Sequence, residues 1–239
     1  MYQALMAEAK TTGDTQGPIA AGDLVQIRDQ SFRVHTRAYA DPDIFHLEMK
    51  RIFGRTWVFV GHVSEIPNVG DYKTSYIGTQ PVIVTRGKEG IVHVLVNRCV
   101  HRGAVLCREA SGHATHFTCP YHGWVYGVDG KLQGIGLRRD GGYPDDYQAP
   151  QGLFALPRVE SYRGLLFASF NDAVGSLESH LGQAKLAIDR KFNRSPQGEI
   201  ELRSRPFIGR YRGNWKFQAE NIVDGYHFLF VHAGFAKLQ

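Results

Sequence analysis

Four residues in the middle of this 239-residue chain restrict its fold more than anything else in it. Cys99-Val100-His101 follows the apolar run Ile91–Val96, and Cys119-Pro120-Tyr121-His122 comes after residues 102–118. Each pair stands among turn-forming residues at the end of an extended run, so each is expected on a loop. Two short loops that each offer a thiol and an imidazole make chemical sense when they grip one object between them. The fold must then bring two strand ends together, which asks for a strand-rich, loop-rich architecture. The 27 glycines, generous for close backbone approaches and turns, point the same way.

Two thiolates and two imidazoles suit either zinc or a two-iron cluster of the Rieske type. A zinc finger usually places at least two residues between paired ligands, whereas Cys99 and His101 have one. Pro120 and Gly123 let the backbone approach a sulfur-rich cluster and donate N–H groups to it, and Tyr121 adds a hydroxyl. Replacing two thiolates of an all-cysteine cluster by neutral imidazoles takes the oxidised centre from a formal dianion to neutrality, so an electron is accepted more readily. The spacing and the neighbours favour the cluster. Cys107 has no partner and reads as a small apolar residue, and three cysteines do not make a disulfide framework.

A second constellation lies near the C-terminus, in the run from Asn214 through Asp224-Gly225-Tyr226-His227 to His232. In an unbroken helix His227 and His232 would diverge by about 140°, so they share a metal only if the helix bends or ends between them; Gly225 and the aromatic run offer the place. Asp224 and His227, three apart, share a helix face. Two imidazoles and a carboxylate form the facial triad of non-haem iron oxygenases. By spacing alone, Asp224 qualifies as the carboxylate. Glu220 and Asn221 lie one turn earlier, and Trp215, Phe217, Ile222 and Phe230 read as core. The remaining histidines read as surface or packing residues.

Along the chain the patterns predict a short helix over Tyr2–Lys10 and another starting at Asp41-Pro42 and ending at Gly54. Strands are expected at Trp57–Val60, Pro81–Thr85, Ile91–Val96 and Leu165–Phe170, with a hairpin turn at Val128-Asp129-Gly130-Lys131. Helical periodicity returns over Leu177–Phe192. Glu199–Tyr211 reads as extended, and Asn214–Tyr226 as a helix capped by Asn214.

Asn97-Arg98-Cys99-Val100-His101-Arg102-Gly103-Ala104, Cys119-Pro120-Tyr121-His122-Gly123-Trp124 and the downstream Asp224-Gly225-Tyr226-His227 resemble the large (α) subunit of Rieske non-haem iron aromatic-ring-hydroxylating oxygenases. The likeness runs from Phe32 to His232. It implies an α+β fold: a β-rich Rieske domain of antiparallel sheets over 50–172, preceded by an N-terminal helical segment, 1–49, that packs on the catalytic domain. Residues 173–239 would begin that catalytic domain, whose helices lie on an antiparallel sheet. Cys99, His101, Cys119 and His122 would hold a [2Fe–2S] cluster, and His227 and His232 a mononuclear Fe(II). In that family the carboxylate before Gly-Tyr-His is a bridge, so Asp224 would serve catalysis by linking an iron-binding histidine to the second Rieske histidine of a neighbouring subunit. The third iron ligand would then be an aspartate beyond Gln239, and the chain alone is expected to assemble the cluster without turning over substrate.

The resemblance further implies an oxidoreductase fed from NAD(P)H by a reductase, in some members through a ferredoxin, that uses O₂ to hydroxylate an aromatic compound, often to a cis-dihydrodiol. Subunits would assemble as α₃ or α₃β₃. The spacing of Asn221 and Asp224 resembles benzoate- and toluate-type members, which implies an aromatic carboxylate. A family monooxygenase or demethylase, a Rieske ferredoxin-like electron carrier and a zinc-binding module are the competing readings; both downstream histidines argue against the ferredoxin. The net charge of +5 is mild and without a basic block, so nucleic acid is not an expected partner. No run of eighteen apolar residues exists and Met1–Gln16 lacks a secretory pattern, so no membrane association and a cytoplasmic location are expected.

Overall fold

The computed structural model describes residues 21–203 and 207–236; the helix expected at Tyr2–Lys10 lies outside them. The described residues divide into two compact units, 21–48 with 207–236, and 49–203.

In the first unit, β1 (Val25–Arg28) and β2 (Ser31–Val34) form an antiparallel hairpin whose register pairs Val25 with Val34 and Ile27 with Phe32. Strand alternation puts these four on one face, with Gln26, Arg28, Ser31 and Arg33 on the other. Helix α1 (Pro42–Glu48) starts where Asp41-Pro42 predicted, with Asp41 Oδ1 accepting from the Asp43 N–H at 2.9 Å. The helical run continues as a π-turn, Met49–Phe53, and Gly54 closes it by donating to the Met49 carbonyl.

The second unit is built from antiparallel sheets. Strands β3 (Val58–His62), β4 (Asp71–Ile77), β5 (Gln80–Arg86), β6 (Val92–Val96) and β7 (Ser111–His113) come first. In the order β6-β5-β4-β7 the last four make one sheet. β5 lies between β4 and β6, and Val82, Ile83, Val84 and Thr85 are all fully buried, which is why this stretch reads as an unbroken apolar run and not as an alternating one. A second sheet joins β8 (His116–Thr118), β9 (Val125–Gly127) and β10 (Leu132–Gly134) in the order β10-β9-β8. The β9–β10 turn falls at the predicted Val128–Lys131, with Gly130 at φ 85°. β11 (Arg158–Tyr162) and β12 (Leu165–Ser169) pair with β3 in a third sheet, through a hairpin whose turn residues Arg163 and Gly164 both have positive φ.

The helical periodicity over Leu177–Phe192 resolves into α2 (Leu177–Leu181) and α3 (Ala184–Phe192), broken at Gly182, where φ is 48°. These helices belong to the second unit. The Leu177 N–H donates to Glu160 on β11, Asp189 accepts from Tyr162 and Arg163, and buried Phe192 lies against His62. The boundary read from sequence at 172/173 therefore falls between a sheet and the helices that cover it. Glu199–Tyr211, expected to be extended, carries no strand pairing over its described residues.

Back in the first unit, α4 (Trp215–Val223) is capped as predicted, Asn214 Oδ1 accepting from the Lys216 N–H at 3.1 Å. The Tyr39 ring stacks on Phe217 at 4.6 Å and its hydroxyl donates to Glu220 at 2.7 Å, while Glu48 accepts from Trp215 and Lys216. The core assignment fails for Phe217, Ile222 and Phe230, which are 49%, 74% and 68% exposed. Their periodicity marks an apolar face that, apart from the Tyr39 ring on Phe217, stays largely exposed among the described residues. Among the described residues no helix is long and apolar enough to cross a membrane.

Candidate metal centres

Two loops of the second unit share one backbone design. In the first, the Cys99 N–H donates to the Ala104 carbonyl at 2.8 Å and the Gly103 N–H to the Cys99 carbonyl at 2.8 Å. In the second, the Cys119 N–H donates to Trp124 at 2.7 Å and the Gly123 N–H to Cys119 at 3.0 Å. Each cysteine is thus closed by the residues four and five positions later. Gly103 and Gly123 turn the chain at φ 71° and 67°, a region side chains disfavour. The histidine sits two positions after the cysteine in one loop and three after it in the other, yet both imidazoles arrive together, their ring centroids 4.7 Å apart and inclined by 69°.

All four predicted ligands are gathered here. Cys99 and Cys119 are 3% and 2% exposed, and the two thiols lie beside each other. The buried Tyr126 hydroxyl is 3.0 Å from Cys99 Sγ. Burial pushes the Cys99 thiol up, partly offset by Tyr126 and by the His101 backbone, so a thiolate there needs a cation next to it. Burial also lowers His101, with help from His122 and Arg102, which keeps its imidazole in the neutral, ligating form. His101 Nδ1 is buried with no hydrogen-bond partner, an atom that is costly to leave so and well suited to a metal. The ring of His101 lies parallel to Trp124, 4.9 Å away at 2°, and Trp124 Nε1 donates to the Tyr143 hydroxyl at 3.0 Å. Tyr121, exposed, lies tilted by 31° against His122, with ring centroids 3.7 Å apart. Among the described residues no three His, Cys, Asp or Glu side chains converge as ligands of a single ion. A two-iron cluster of the Rieske type would take two cysteines and two histidines, and the two loops together offer that set, one of each from each loop.

Cys107 is buried and burial alone pushes its thiol up to about 12, in keeping with the apolar role expected of it. Sequence reading missed Tyr126 and the packing of Trp124 with Tyr143 and, though it noted Gly123, did not see that a glycine holds the same place in both loops. A glycine four residues after each cysteine was the available signal for the last. Tyr126 was legible only as the inward position of a short strand.

The second constellation forms in the first unit. α4 ends at Val223, and α5 (Phe228–Val231) is one turn long. Asp224 and His227 therefore share no helix; they meet because Asp224 Oδ1 accepts from the Tyr226 N–H at 2.8 Å and the His227 N–H at 3.4 Å, a turn that also lowers the Asp224 carboxyl. The backbone stays helical from His227 until His232, where φ is −111°, so the break that brings the rings together is at His232 itself and not at Gly225. The two ring centroids are 5.5 Å apart at 69°. Asp224 Oδ2 lies 3.2 Å from His227 Nδ1, close to it but without hydrogen-bond alignment. A carboxylate at Nδ1 leaves Nε2 to face a metal, the usual division of a ligating imidazole. A cleft of about 550 Å³ is lined here by Asn221, Asp224, Gly225, His227, Phe228 and His232.

Residues 56–142 match the Rieske [2Fe-2S] domain. The chain is 42% identical over 211 residues to the toluate 1,2-dioxygenase subunit alpha of Pseudomonas putida, covering 87% of this chain and 46% of that protein. It is 41% identical to the anthranilate 1,2-dioxygenase large subunit of Acinetobacter baylyi, over 87% of this chain and 44% of that protein. Among solved structures, naphthalene 1,2-dioxygenase from a Rhodococcus species bound to indole superposes with a TM-score of 0.75 at 36% identity, over 86% of this chain and 47% of that one. The chain spans about half the length of the relatives it matches. Taken with the paired loops and the antiparallel architecture, these likenesses show that residues 56–142 are a Rieske [2Fe-2S] domain, in a chain that is similar over most of its length to the first half of ring-hydroxylating dioxygenase large subunits.

Proposed function

We propose that this chain supplies the electron-receiving part of an oxygenase large subunit, with Cys99, His101, Cys119 and His122 as ligands of its [2Fe–2S] cluster. The observation that carries this is the pair of identically closed loops, whose cysteines are buried beside each other and whose histidine rings meet 4.7 Å apart. His227 and His232 are the ligands it contributes to a mononuclear Fe(II), and the residues from 173 on, with the N-terminal segment, belong functionally to the catalytic side. When bound, the cluster supplies one electron at a time and the iron activates O₂ toward an aromatic ring.

The chain's own residues set the conditions. Tyr126 donates to Cys99 and stabilises negative charge on sulfur. Trp124, held by Tyr143, fixes the ring plane of His101. Asp224 orients His227 and, as a bridge to the second cluster histidine of a neighbouring subunit, is the catalytic relay residue. That role asks for a cyclic α₃ or α₃β₃ assembly. The substrate is an aromatic carboxylate, as the names of the toluate and anthranilate relatives suggest, and electrons come from a reductase, directly or through a ferredoxin.

Metal and sulfide analysis tests the reading. Iron and acid-labile sulfide in equal amounts, with visible absorption that bleaches on reduction, are expected. A colourless protein holding stoichiometric zinc would overturn it.

A further inference from the structure

The two ligand loops close alike but are anchored differently. The second loop joins β8 to β9, whose ladder pairs Thr118 with Val125 directly outside it, so the sheet holds its two ends together. The first loop leaves β6 and does not return in a neighbouring strand; residues 104–110 run on irregularly to β7. What draws its ends together is one side chain. Asn97 Nδ2 donates to the Cys107 carbonyl at 2.7 Å, and Asn97 Oδ1 accepts from the Cys107 N–H at 2.9 Å and the Leu106 N–H at 3.1 Å. The amide exchanges both a donor and an acceptor bond with one residue, as a backbone partner does in an antiparallel pair. Asn97 is 2% exposed, and its own N–H donates to Pro81 on the β5 side, which ties the clasp to the sheet.

We infer that Asn97 is a positioning residue: its side-chain amide substitutes for a missing strand partner and holds the loop bearing Cys99 and His101 in ligating geometry. The inference rests on those two residues being cluster ligands. The side-chain hydrogen bonds described for Asn97 all go to the first loop, so it acts through that loop.

The test uses the full chain. Iron and sulfide content of the parent protein checks the ligand reading itself; a parent lacking both would overturn reading and clasp together. With the cluster present, iron release to a strong chelator and the reduced-state electron paramagnetic resonance spectrum are compared for the parent, N97A, N97D and I66V. Ile66 is fully buried but lies outside the side chains packed around Cys99, so I66V lowers stability without touching the loop. N97A is expected to release iron at least roughly tenfold faster, because it leaves three backbone groups of the loop without their partner and a single buried hydrogen bond left unmade already accounts for about that factor, and to shift the spectrum. N97D keeps the two acceptor bonds and falls between N97A and the parent. I66V keeps the parent's spectrum and release rate despite its lower melting temperature. The clasp is overturned if the Asn97 variants match I66V in both readouts; should N97A not fold, the same comparison is made with N97D alone.

Discussion

At the scale of single residues, the cluster site is a problem of charge. Two buried thiols are costly as thiolates, and the surroundings answer with the Tyr126 hydroxyl, the His101 backbone N–H and the imidazoles of His101 and His122. Tyr126 is the cleanest handle on that balance, because its hydroxyl meets Cys99 Sγ at 3.0 Å and its ring is fully buried. Y126F removes the donor and keeps the ring. The reduced, more negative state loses most from this, so the potential of the loaded protein should fall by tens of millivolts, with about 59 mV equal to a tenfold change in a one-electron couple. A redox titration by visible absorption reads it; an unchanged or raised potential would show that the hydroxyl does not stabilise the reduced centre.

At the scale of elements, a glycine within the first loop and one packed against the second carry different burdens. Gly103 has a positive φ but open space where a side chain would go, whereas a Cβ on Gly136 would stand 2.6 Å from the His122 carbonyl oxygen. G103A should therefore cost about 1–2 kcal/mol of backbone strain, while G136A displaces the second loop, with a larger fall in melting temperature and loss of cluster. Thermal unfolding with iron analysis separates them; equal effects would contradict the packing argument. Asp189 on α3 offers a pH test. Burial alone would raise its carboxyl, but hydrogen bonds from Arg163 and Tyr162 outweigh it and hold it below the usual range. Its contribution is thus present above the unfolded-state value of about 3.9 and is lost as pH falls through the lower folded value. D189N should lower the melting temperature at neutral pH, and the gap to the parent should close in acid. A gap that persists there would point to packing instead.

What was legible in the sequence follows the same scale. Cys99, His101, Cys119 and His122 declared themselves by residue type and spacing, and β5, β6 and the turn at 128–131 by composition, because burial on both faces and a tight reversal leave local marks. The break at Gly182, the turn at Asp224 and the helix end at His232 did not: each is a backbone choice set by what the segment packs on, which helical periodicity does not encode. Phe217, Ile222 and Phe230 show the limit most plainly, since an apolar stripe says that a face wants cover and not whether the cover is in the same unit.

At the scale of the whole molecule, that uncovered face has a solution consequence. Ile222, Val223, Tyr226, Leu229, Phe230 and Val231 are each more than three-fifths exposed, more apolar surface than a monomer usually shows in one short stretch. I222K combined with F230K should reduce binding of an apolar dye and concentration-dependent association, measured by fluorescence and light scattering, and leave the melting temperature within about 0.5 kcal/mol equivalent. A large destabilisation would mean that the face is already packed.

The first unit is assembled from two separate stretches of the chain, whereas the second unit is one continuous stretch. Tyr39 and its partner Glu220 are 181 residues apart. During synthesis at roughly 5–20 residues per second, Tyr39 waits some tens of seconds before Glu220 exists, while everything needed for the cluster loops has already left the ribosome. The order of translation thus favours a chain whose electron-receiving half is folded while the histidines downstream are still being made, and it leaves the N-terminal segment, for that interval, dependent on something other than its final partner.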